Sequence, residues 1–527
     1  MKEIDKKMTH TRRSFLSQST CSAMGLAGIV NTLAHLRLME ASLANEVNIG
    51  NDYKALIVLF LFGGQNSDNL LAPRGSHPSR ANYDASRGVL ALADASLHPI
   101  DAGNLSAPDN SFGLNPACAD LKTIFDAGEL AFVANVGSLT NPITKAEYNA
   151  GTVPVPPQLF SHSDQQTQWQ SSIPDKPFQT GWAGRIADLL NASYNPQSQV
   201  SMSVTLGGQS NILIGSPGSG AAQYAVTNSG AIALSGYGTN YSSALNPDGT
   251  YQNNTQGRRL EAFEKIMNFT HDHLMEDGYN NIVSRARQNE EFVGGALAEA
   301  AASGVDFDGI FANADSDIGD QLKMVAQLIA GRNCVGNARQ IFFVTQGGYD
   351  THQDQGNTTL GENGDLYDLL SDLNGAMKAF NDAMHALDTA DADFSYNDTV
   401  LATHSDFNRT FTPNGEDPAT SGSDHAWGGH MMVMGGAVNG GNVYGYYPDH
   451  EVNGPQDVSE SNGRGRWIPT TSVDQYASVL GRWMDVSSND IPLIFPNLSR
   501  FADPFSPSYD PLDQLGNANT DFIDFGA

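Results

Sequence analysis

The sequence has few cysteines and few basic residues. Only three cysteines occur in 527 residues, so the chain has neither a disulfide framework nor a cysteine-rich metal cluster, and whether Cys118 and Cys334 pair is left open. Lysine and arginine together number 28 against 58 aspartate and glutamate residues, which gives a net charge of −30. Because an acidic surface repels phosphate backbones and anionic lipids, this composition argues against nucleic acid and membrane surfaces as partners.

The N-terminal region lacks an apolar segment long enough to span a bilayer. Residues 11–16 (TRRSFL) carry the paired arginines, phenylalanine and leucine that are typical of a twin-arginine export signal. A short apolar stretch follows at residues 21–33, and Ser42-Leu43-Ala44 offers small residues for cleavage before Asn45. We therefore expect residues 1–44 to be a signal peptide that engages the twin-arginine translocase. The mature protein is then periplasmic or secreted, without stable membrane insertion.

Predicted strands alternate with predicted helices through residues 45–527. Buried strands are predicted at Lys54–Phe62, Leu130–Val136, Ser201–Leu206, Ile341–Val344, Thr399–Thr403, Met431–Met434 and Asn442–Tyr444. Helices are predicted at Leu121–Ala127, Arg258–Ala301, Ile318–Ala330, Asp365–Leu387 and Val473–Met484, with a further helix that starts at Asp164. This alternation is typical of an α/β domain with a mainly parallel sheet. Residues 215–255 are rich in Gly, Ser, Asn and Tyr without periodicity, and we interpret them as an insertion in this single domain.

Polar clusters accompany four of the predicted strands. They are Gln65–Asn69, Asp350–His352, His404–Asp406 and Asp424–His430, and a fifth cluster, Ser161–Asp164, opens a helix. In open parallel sheets, ligands bind beyond the carboxyl ends of the strands. If the four strands run parallel, these clusters meet at one rim, and we expect a single polar site there.

The residue types in these clusters favour a metal centre. In an extended chain Asp350 and His352 share one face and suit a metal site or an acid/base pair, whereas an ordinary polar loop is the other interpretation. Histidine and aspartate without cysteine suit Zn or Mn, and Mg or Ca stay open. Two such cations would support displacement at phosphorus or sulfur. Ser161 or Ser163 is then either a nucleophile or a plain helix N-cap.

Other side chains in the clusters also leave alternatives open. His404 is either a ligand or a polar residue at a strand end, and His430 is either a ligand or half-buried core. His425 is better placed as a ligand, since Asp424 can orient its ring. Arg409 either neutralises an anionic substrate or forms a salt bridge that holds its loop.

Seven sequence blocks occur in one order and together resemble the bacterial family named domain of unknown function 1501. The blocks are TRRSFL, LFLFGGQNSDNLLAP, SHSDQQTQWQ, GGYDTHQDQ, SDFNRT, GSDHAWGGHMMVMGGAVNGG and GRWIPTTSVDQYASVLGRWM. They extend from the leader to about Met484. That family is grouped with the alkaline phosphatase and sulfatase superfamily. The resemblance therefore implies a three-layer α/β/α sandwich with metal ligands on loops at one edge of the sheet.

The resemblance also implies four metal ligands by position. They are Asp350, His352, Asp406 and His425. The segment Ser161–Asp164 falls near the place of the superfamily's helix-capping nucleophile. Family members usually have an aspartate in the loop after the first strand, and that place falls on Asn66, with Asp68 two residues later. Either Asp68 substitutes for it, or one metal position is weakened or lost.

Two functions of different classes follow from the sequence. The leading one is an exported, metal-dependent hydrolase that acts on phosphate or sulfate esters of a small molecule or a polymer. The alternative is a non-catalytic envelope protein that keeps the hydrolase fold for binding, which Asn66 in place of the expected aspartate favours. Since a fold does not establish a function, the resemblance by itself does not decide between them.

Overall fold

The computed structural model describes most of the chain after the leader. The described residues are 53–196, 200–216, 223–231, 236–237, 241–246, 250–267, 293–356, 364–458, 463–505 and 522–523. The predicted signal peptide lies outside these residues. Within them, no helix combines the length and the apolar character needed to cross a membrane.

A ten-stranded sheet forms the centre of the fold, and a small sheet of three strands lies beside it. The strands in chain order are β1 (Lys54–Leu61), β2 (Leu71–Pro73), β3 (His98–Asp101), β4 (Ser111–Leu114), β5 (Leu130–Gly137), β6 (Ser203–Thr205), β7 (Tyr224–Thr227), β8 (Gly230–Ala231), β9 (Arg339–Gln346), β10 (Thr399–Ser405), β11 (Gly429–Gly435), β12 (Val443–Tyr444) and β13 (Thr471–Ser472). The large sheet has the order β12-β5-β11-β10-β1-β9-β6-β7-β8, and β13 also pairs with β5. Its neighbours run parallel except at β10–β11, β11–β5 and β7–β8. The predicted α/β class with a mainly parallel sheet is therefore confirmed.

Helices cover both faces of the large sheet. The helices are α1 (Ser67–Leu70), α2 (Arg80–Ser86), α3 (Ala119–Asp126), α4 (Lys145–Ala150), α5 (His162–Ser171), α6 (Trp182–Tyr194), α7 (Thr255–Met267), α8 (Phe307–Ile310), α9 (Asp317–Ala330), α10 (Arg332–Val335), α11 (Asp365–Ala390), α12 (Val473–Trp483) and α13 (Ile491–Ile494). Residues 293–302 are helical as well. Side chains of α3, α9 and α11 share one core with β1, whereas α6, α12 and α13 share a second core on the opposite face.

The alternation of side chains along β1 explains why its sequence is apolar throughout. Ile57 and Leu59 belong to the first core, while Val58 and Phe60 belong to the second. Successive residues of a strand point to opposite faces, so a strand covered on both sides has no polar alternation. The unbroken apolar run in the sequence is thus the signature of a central strand.

Several predicted boundaries differ from the structure. The helix predicted from Asp164 begins at His162, and the helix predicted over residues 258–301 is described only at its two ends. The described parts of the insertion include β7, which extends the large sheet by pairing with β6, and β8, which pairs with β7. No pattern in the sequence predicted the small antiparallel sheet β2-β4-β3. Its strands have three or four residues each, too few to show a period.

The register of the central strands brings three of the polar clusters to one rim. Leu61, the last residue of β1, lies beside Gln346 of β9 and Ser405 of β10. The loops that leave these three parallel strands therefore start together, as predicted. The fourth cluster reaches the rim in a different way, because β11 runs antiparallel to β10 and the residues before Gly429 arrive from the opposite direction. The assumption that this strand is parallel was wrong, although its cluster lies where expected.

Candidate metal centre

Asp350 and His352 lie on the loop that follows β9, and this loop packs closely against the loop after β1. Gly63 in the β1 loop has a φ of +113°, and a Cβ there would collide with the backbone nitrogen of Asp350. Only glycine combines this conformation with such a close approach. The two glycines that end the apolar run of β1 thus allow the Asp350 loop to lie against the end of the sheet.

Four side-chain atoms converge above this rim. They are Nε2 of His162, Nε2 of His352, Nε2 of His425 and Oδ1 of Asp350. The Nε2 atom of His425 lies 3.1 Å from that of His162 and 3.0 Å from that of His352. The Asp350 oxygen lies 3.1 Å from His352 and 3.3 Å from each of the other two. We call these four residues the three-histidine group.

Each imidazole of the group has its other nitrogen fixed by an acceptor. The pairs are His162 Nδ1 with Asp406 Oδ2 at 2.6 Å, His352 Nδ1 with Asp424 Oδ1 at 2.9 Å and His425 Nδ1 with the Phe160 carbonyl at 2.7 Å. Carboxylates and carbonyls only accept, so the proton of each neutral ring lies on Nδ1 and the Nε2 lone pair faces the group. Histidines that bind metals are oriented in this way.

The close approach of these lone pairs requires a positive charge between them. A proton on His162 can satisfy its contact with His425, since the hydrogen bond from Asp406 raises the pKa of His162. That proton does not reach the contact between His352 and His425, and burial, with the nearby charge of Arg409, lowers the pKa of His425. A divalent cation bound by His162, His425 and Asp350 would place positive charge at the contacts among these three atoms.

The spacing of the atoms fits such a cation. Zinc binds histidine nitrogen and carboxylate oxygen at about 2.0–2.1 Å, which places neighbouring ligands of a tetrahedron about 3.3 Å apart. His162, His425 and Asp350 are separated by 3.1–3.3 Å, so they can form one face of a tetrahedron. Imidazole with one carboxylate and no thiolate is a donor set that suits Zn or Mn.

Arg409 lies beneath Asp350 and fixes its carboxylate. The Nη1 atom of Arg409 donates to Asp350 Oδ1 at 2.7 Å and to the Gly63 carbonyl at 3.2 Å, while Nη2 donates to the Ser423 carbonyl. Partial burial opposes ionisation of Asp350, but the hydrogen bond and charge of Arg409 hold its pKa below the ordinary value. The arginine side chain is fully buried. Of the two interpretations of Arg409, the structure supports the salt bridge that holds the loop.

Asp406 is positioned by three donors and orients His162. Its Oδ2 atom accepts from His162, from Gln166 Nε2 at 2.8 Å and from the Gly63 N–H at 3.2 Å. Its Oδ1 atom is buried and has no hydrogen-bond partner among the described residues. The predicted ligand Asp406 therefore lies at the site and contacts a histidine of the group directly, and its coordination of a metal stays a prediction.

The two candidate nucleophiles lie at the start of α5 but do not bond to a histidine of the group. Ser161 is the N-cap residue, yet its hydroxyl donates to Asp164 Oδ2 at 2.6 Å instead of capping the helix. The hydroxyl of Ser163 is exposed and lies 3.4 Å from the same carboxylate oxygen. Between them stands His162, which the structure places in the group.

Asn66 and Asp68, two polar residues of the loop after β1, lie in different parts of the structure. Asn66 is buried, and its Nδ2 atom donates to Ser423 Oγ at 3.4 Å, beside the carbonyl that binds Arg409. Its Oδ1 atom has no hydrogen-bond partner among the described residues. Asp68 contacts none of the three-histidine group and belongs to a second, fully buried set with His430 and His450.

This second set has the residue types of a metal site but the wrong proton positions. The Nδ1 atom of His430 accepts the Asn135 N–H at 3.1 Å, and burial lowers the pKa of His430 to about 4, so the neutral ring carries its proton on Nε2. That proton points towards Asp68 Oδ1, which is 3.8 Å away, and leaves no lone pair for a metal.

Asp68 is instead surrounded by donors. They are His450 Nε2 at 3.1 Å, Asn408 Nδ2 at 2.9 Å and Trp467 Nε1 at 3.3 Å. Burial opposes ionisation, but the hydrogen bond and charge of His450 lower the pKa of Asp68. The arrangement favours a buried structural anion over the predicted metal ligand.

Two further predictions concern His404 and the pairing of Asp424 with His425. His404 is fully buried against Trp169, Trp182 and Tyr476, and burial lowers its pKa to about 3, so it is a packing residue at the strand end and not a ligand. The expected help of Asp424 for the adjacent His425 was wrong, because its carboxylate bonds to His352.

Sequence reasoning missed His162 and the partner of His425. The signal for His162 was present, since it stands inside a polar cluster at the start of a helix. The role of Phe160 had no signal, because it depends on a backbone carbonyl. Phe160 has a φ of +72°, which is uncommon for a bulky residue and turns its carbonyl towards His425.

Comparison with known proteins gives one match. Residues 53–463 match the family model described as a protein of unknown function, DUF1501. No curated protein and no solved structure matches the chain.

Proposed function

Because the chain belongs to the DUF1501 family, whose description leaves its activity open, we propose a function from the site itself: a divalent-metal-dependent hydrolase of phosphate or sulfate esters. One observation carries the proposal. Three imidazole nitrogens and one carboxylate oxygen converge within 3.0–3.3 Å contacts, while each ring has its second nitrogen hydrogen-bonded to an acceptor. A ring whose second nitrogen is held by an acceptor is typical of histidines that bind a metal.

The proposed ligands of the cation are His162, His352, His425 and Asp350. When bound, a divalent cation supplies Lewis acidity to an ester oxygen and makes water more acidic. The side chains of Asp350 and His352 are 48% and 42% exposed, which supports a catalytic and not a structural centre, because structural zinc sites are closed. Asp406, Asp424 and the Phe160 carbonyl hold the rings, and Arg409 holds the carboxylate.

The grouping of the DUF1501 family with the alkaline phosphatase and sulfatase superfamily supports phosphate or sulfate as the reacting group. A parallel sheet with helices on both faces and ligands beyond its strand ends is compatible with that superfamily. The TRRSFL leader supports export by the twin-arginine pathway to the periplasm or the medium. Proteins that use this pathway fold before translocation, which suits a centre loaded with metal in the cytoplasm.

A second candidate is a binding protein that keeps the centre without catalysis. It is favoured by the hydroxyls of Ser161 and Ser163, whose described hydrogen bonds run to Asp164 and to each other and not to a histidine. Activated serine nucleophiles bond to a base. Hydrolysis by water that the cation activates does not need either hydroxyl.

Metal analysis and turnover separate these functions. The protein is purified without chelator, its metal is measured by mass spectrometry, and phosphate and sulfate esters are screened with Zn, Mn, Mg and Ca. We expect about one metal or more per chain, lost in His162→Ala and Asp350→Ala. The control His385→Ala removes a half-exposed histidine that pairs with Glu129 and should keep the metal.

The outcomes are distinct. Metal with turnover that disappears in both variants supports the hydrolase. Metal without turnover of any ester supports the binding protein. Trace metal that is the same in wild type and Asp350→Ala refutes the metal centre and both functions with it.

A further inference from the structure

Phe160 and Arg466 form a second layer around His425. The backbone N–H of Phe160 donates to Gln165 Oε1 at 2.7 Å, which holds the residue in its left-handed conformation. Its carbonyl accepts from His425, and its ring supports the guanidinium of Arg466 at 4.4 Å. The Nε atom of Arg466 donates to the His425 carbonyl at 2.9 Å. The same two residues therefore place the histidine of the centre and a cationic side chain.

Arg466 differs from the other arginines at the site in what its outer nitrogens do. Arg409 uses both Nη atoms inside the protein, and Arg464 directs Nη2 to Asp424 at 2.7 Å. For Arg466, the described residues provide an acceptor to Nε only. Its planar Nη edge is therefore available to a bound molecule, and the stacking on Phe160 fixes the plane of the group.

The electrostatic surroundings favour an anion at this edge. Burial and the charge of Arg464 lower the pKa of Arg466, and the charges of Asp424 and Asp457 act in the opposite direction, but Arg466 forms no salt bridge to a carboxylate within the described residues. A guanidinium stays charged at neutral pH. Arg466 is therefore a half-buried cation beside His425 whose Nη atoms have no acceptor among the described residues.

We infer that Arg466 binds an anionic oxygen of the substrate. The inference rests on the proposed function and narrows it: the substrate is an ester with free oxyanion atoms, such as a phosphate monoester or a sulfate ester, and not a neutral carboxylic ester. Two parallel N–H groups of arginine match two oxygens of a tetrahedral anion. The two Nη groups of Arg466 then hold the substrate, while the three-histidine group faces the reacting atom.

Anion binding by variants tests the inference without the unknown substrate. Inorganic phosphate and inorganic sulfate are titrated into the metal-loaded full chain by calorimetry, and metal content is measured in parallel. In Arg466→Gln, compared with wild type at equal metal content, we expect anion affinity lowered roughly 10- to 100-fold, because hydrogen bonds to a charged group are lost. Arg466→Lys keeps the charge without the planar fork and should give an intermediate affinity. Arg258→Gln removes an exposed arginine on α7 and should bind as wild type.

The result separates this inference from the proposed function. If metal binds normally and Arg466→Gln binds both anions as tightly as wild type, or wild type binds neither, Arg466 has no such role and the metal centre still stands. If wild type binds no metal, the proposed function fails and the titration is repeated on the metal-free chain. A loss of anion binding in Arg466→Gln then still supports the inference, and unchanged or absent binding overturns it. If Arg466→Gln does not fold, the anion affinity of Arg466→Lys is compared with that of wild type instead, and an affinity equal to that of wild type overturns the inference.

Discussion

Removal of the Asp424 carboxylate offers a clean test of the metal centre, because it changes a partner of a proposed ligand and not the ligand itself. Asp424 Oδ1 accepts from His352 Nδ1 at 2.9 Å, and its Oδ2 accepts from Arg464 Nη2 at 2.7 Å. Its side chain is 31% exposed. In Asp424→Ala the His352 ring loses the group that fixes its tautomer and orientation, while the four converging atoms all remain.

The structure lets the effects on metal affinity and on folding be separated. Loss of a carboxylate that orients a metal-binding histidine lowers affinity by about 10- to 100-fold, or about 1.4–2.8 kcal/mol. The ion pair with Arg464 is partly exposed on both sides, so its loss costs only about 0.2–1 kcal/mol of folding stability. Asp424→Asn keeps an oxygen that can accept from His352, and we expect a smaller loss of affinity than in Asp424→Ala.

Zinc affinity is measured by calorimetry in competition with a chelator, and stability by urea unfolding of the metal-free protein. The matched control is Asp175→Ala, which removes a similarly buried carboxylate that pairs with Arg500 at 2.8 Å and does not contact the group. Its zinc affinity should equal that of wild type. If Asp424→Ala is loaded with zinc and binds it as tightly as wild type does, the proposed role of Asp424 in orienting His352 is refuted.

Three further predictions concern the loop, the metal and a buried acid. Gly63→Ala should cost about 1–3 kcal/mol from its φ of +113° alone, with a further loss from the collision with Asp350, measurable by urea unfolding. A chelator should lower the free energy of unfolding by about 2.7 kcal/mol relative to protein with free zinc about 100-fold above its dissociation constant, and equal melting curves contradict this. Burial raises the pKa of Asp474 from 3.8 to about 7, so the folded state keeps a proton that the unfolded chain releases. Stability should therefore fall by up to about 4 kcal/mol as the pH rises from about 4 to 7, and a slope as steep in Asp474→Asn as in wild type refutes the assignment.

The fold was largely predictable because its central strands carry unmistakable patterns. β1 and β5 are apolar in nearly every position, as the two-sided cover of the sheet requires. β11 is equally apolar, yet its direction could not be read, because periodicity is the same for parallel and antiparallel strands. The three short strands between residues 71 and 114 had no pattern at all.

The candidate site was predictable in its position and only partly in its members. Asp350, His352 and His425 came together as expected, since they stand next to strand ends on one rim of the sheet. Asp68, which one of two open alternatives placed in the same site, lies elsewhere, because loop residues two positions apart can face different neighbours and α1 turns this side chain into the buried set around His450.

The amino-acid sequence by itself determined where polar chemistry collects: beyond the ends of apolar strands, at glycines that permit a turn. Tertiary structure alone decided which nitrogen of each histidine is free. The carbonyl that orients His425 lies 265 residues away in the sequence, and the carboxylate that orients His162 lies 244 residues away. A proton position on an imidazole depends on the partner of its other nitrogen, and only the folded chain supplies that partner.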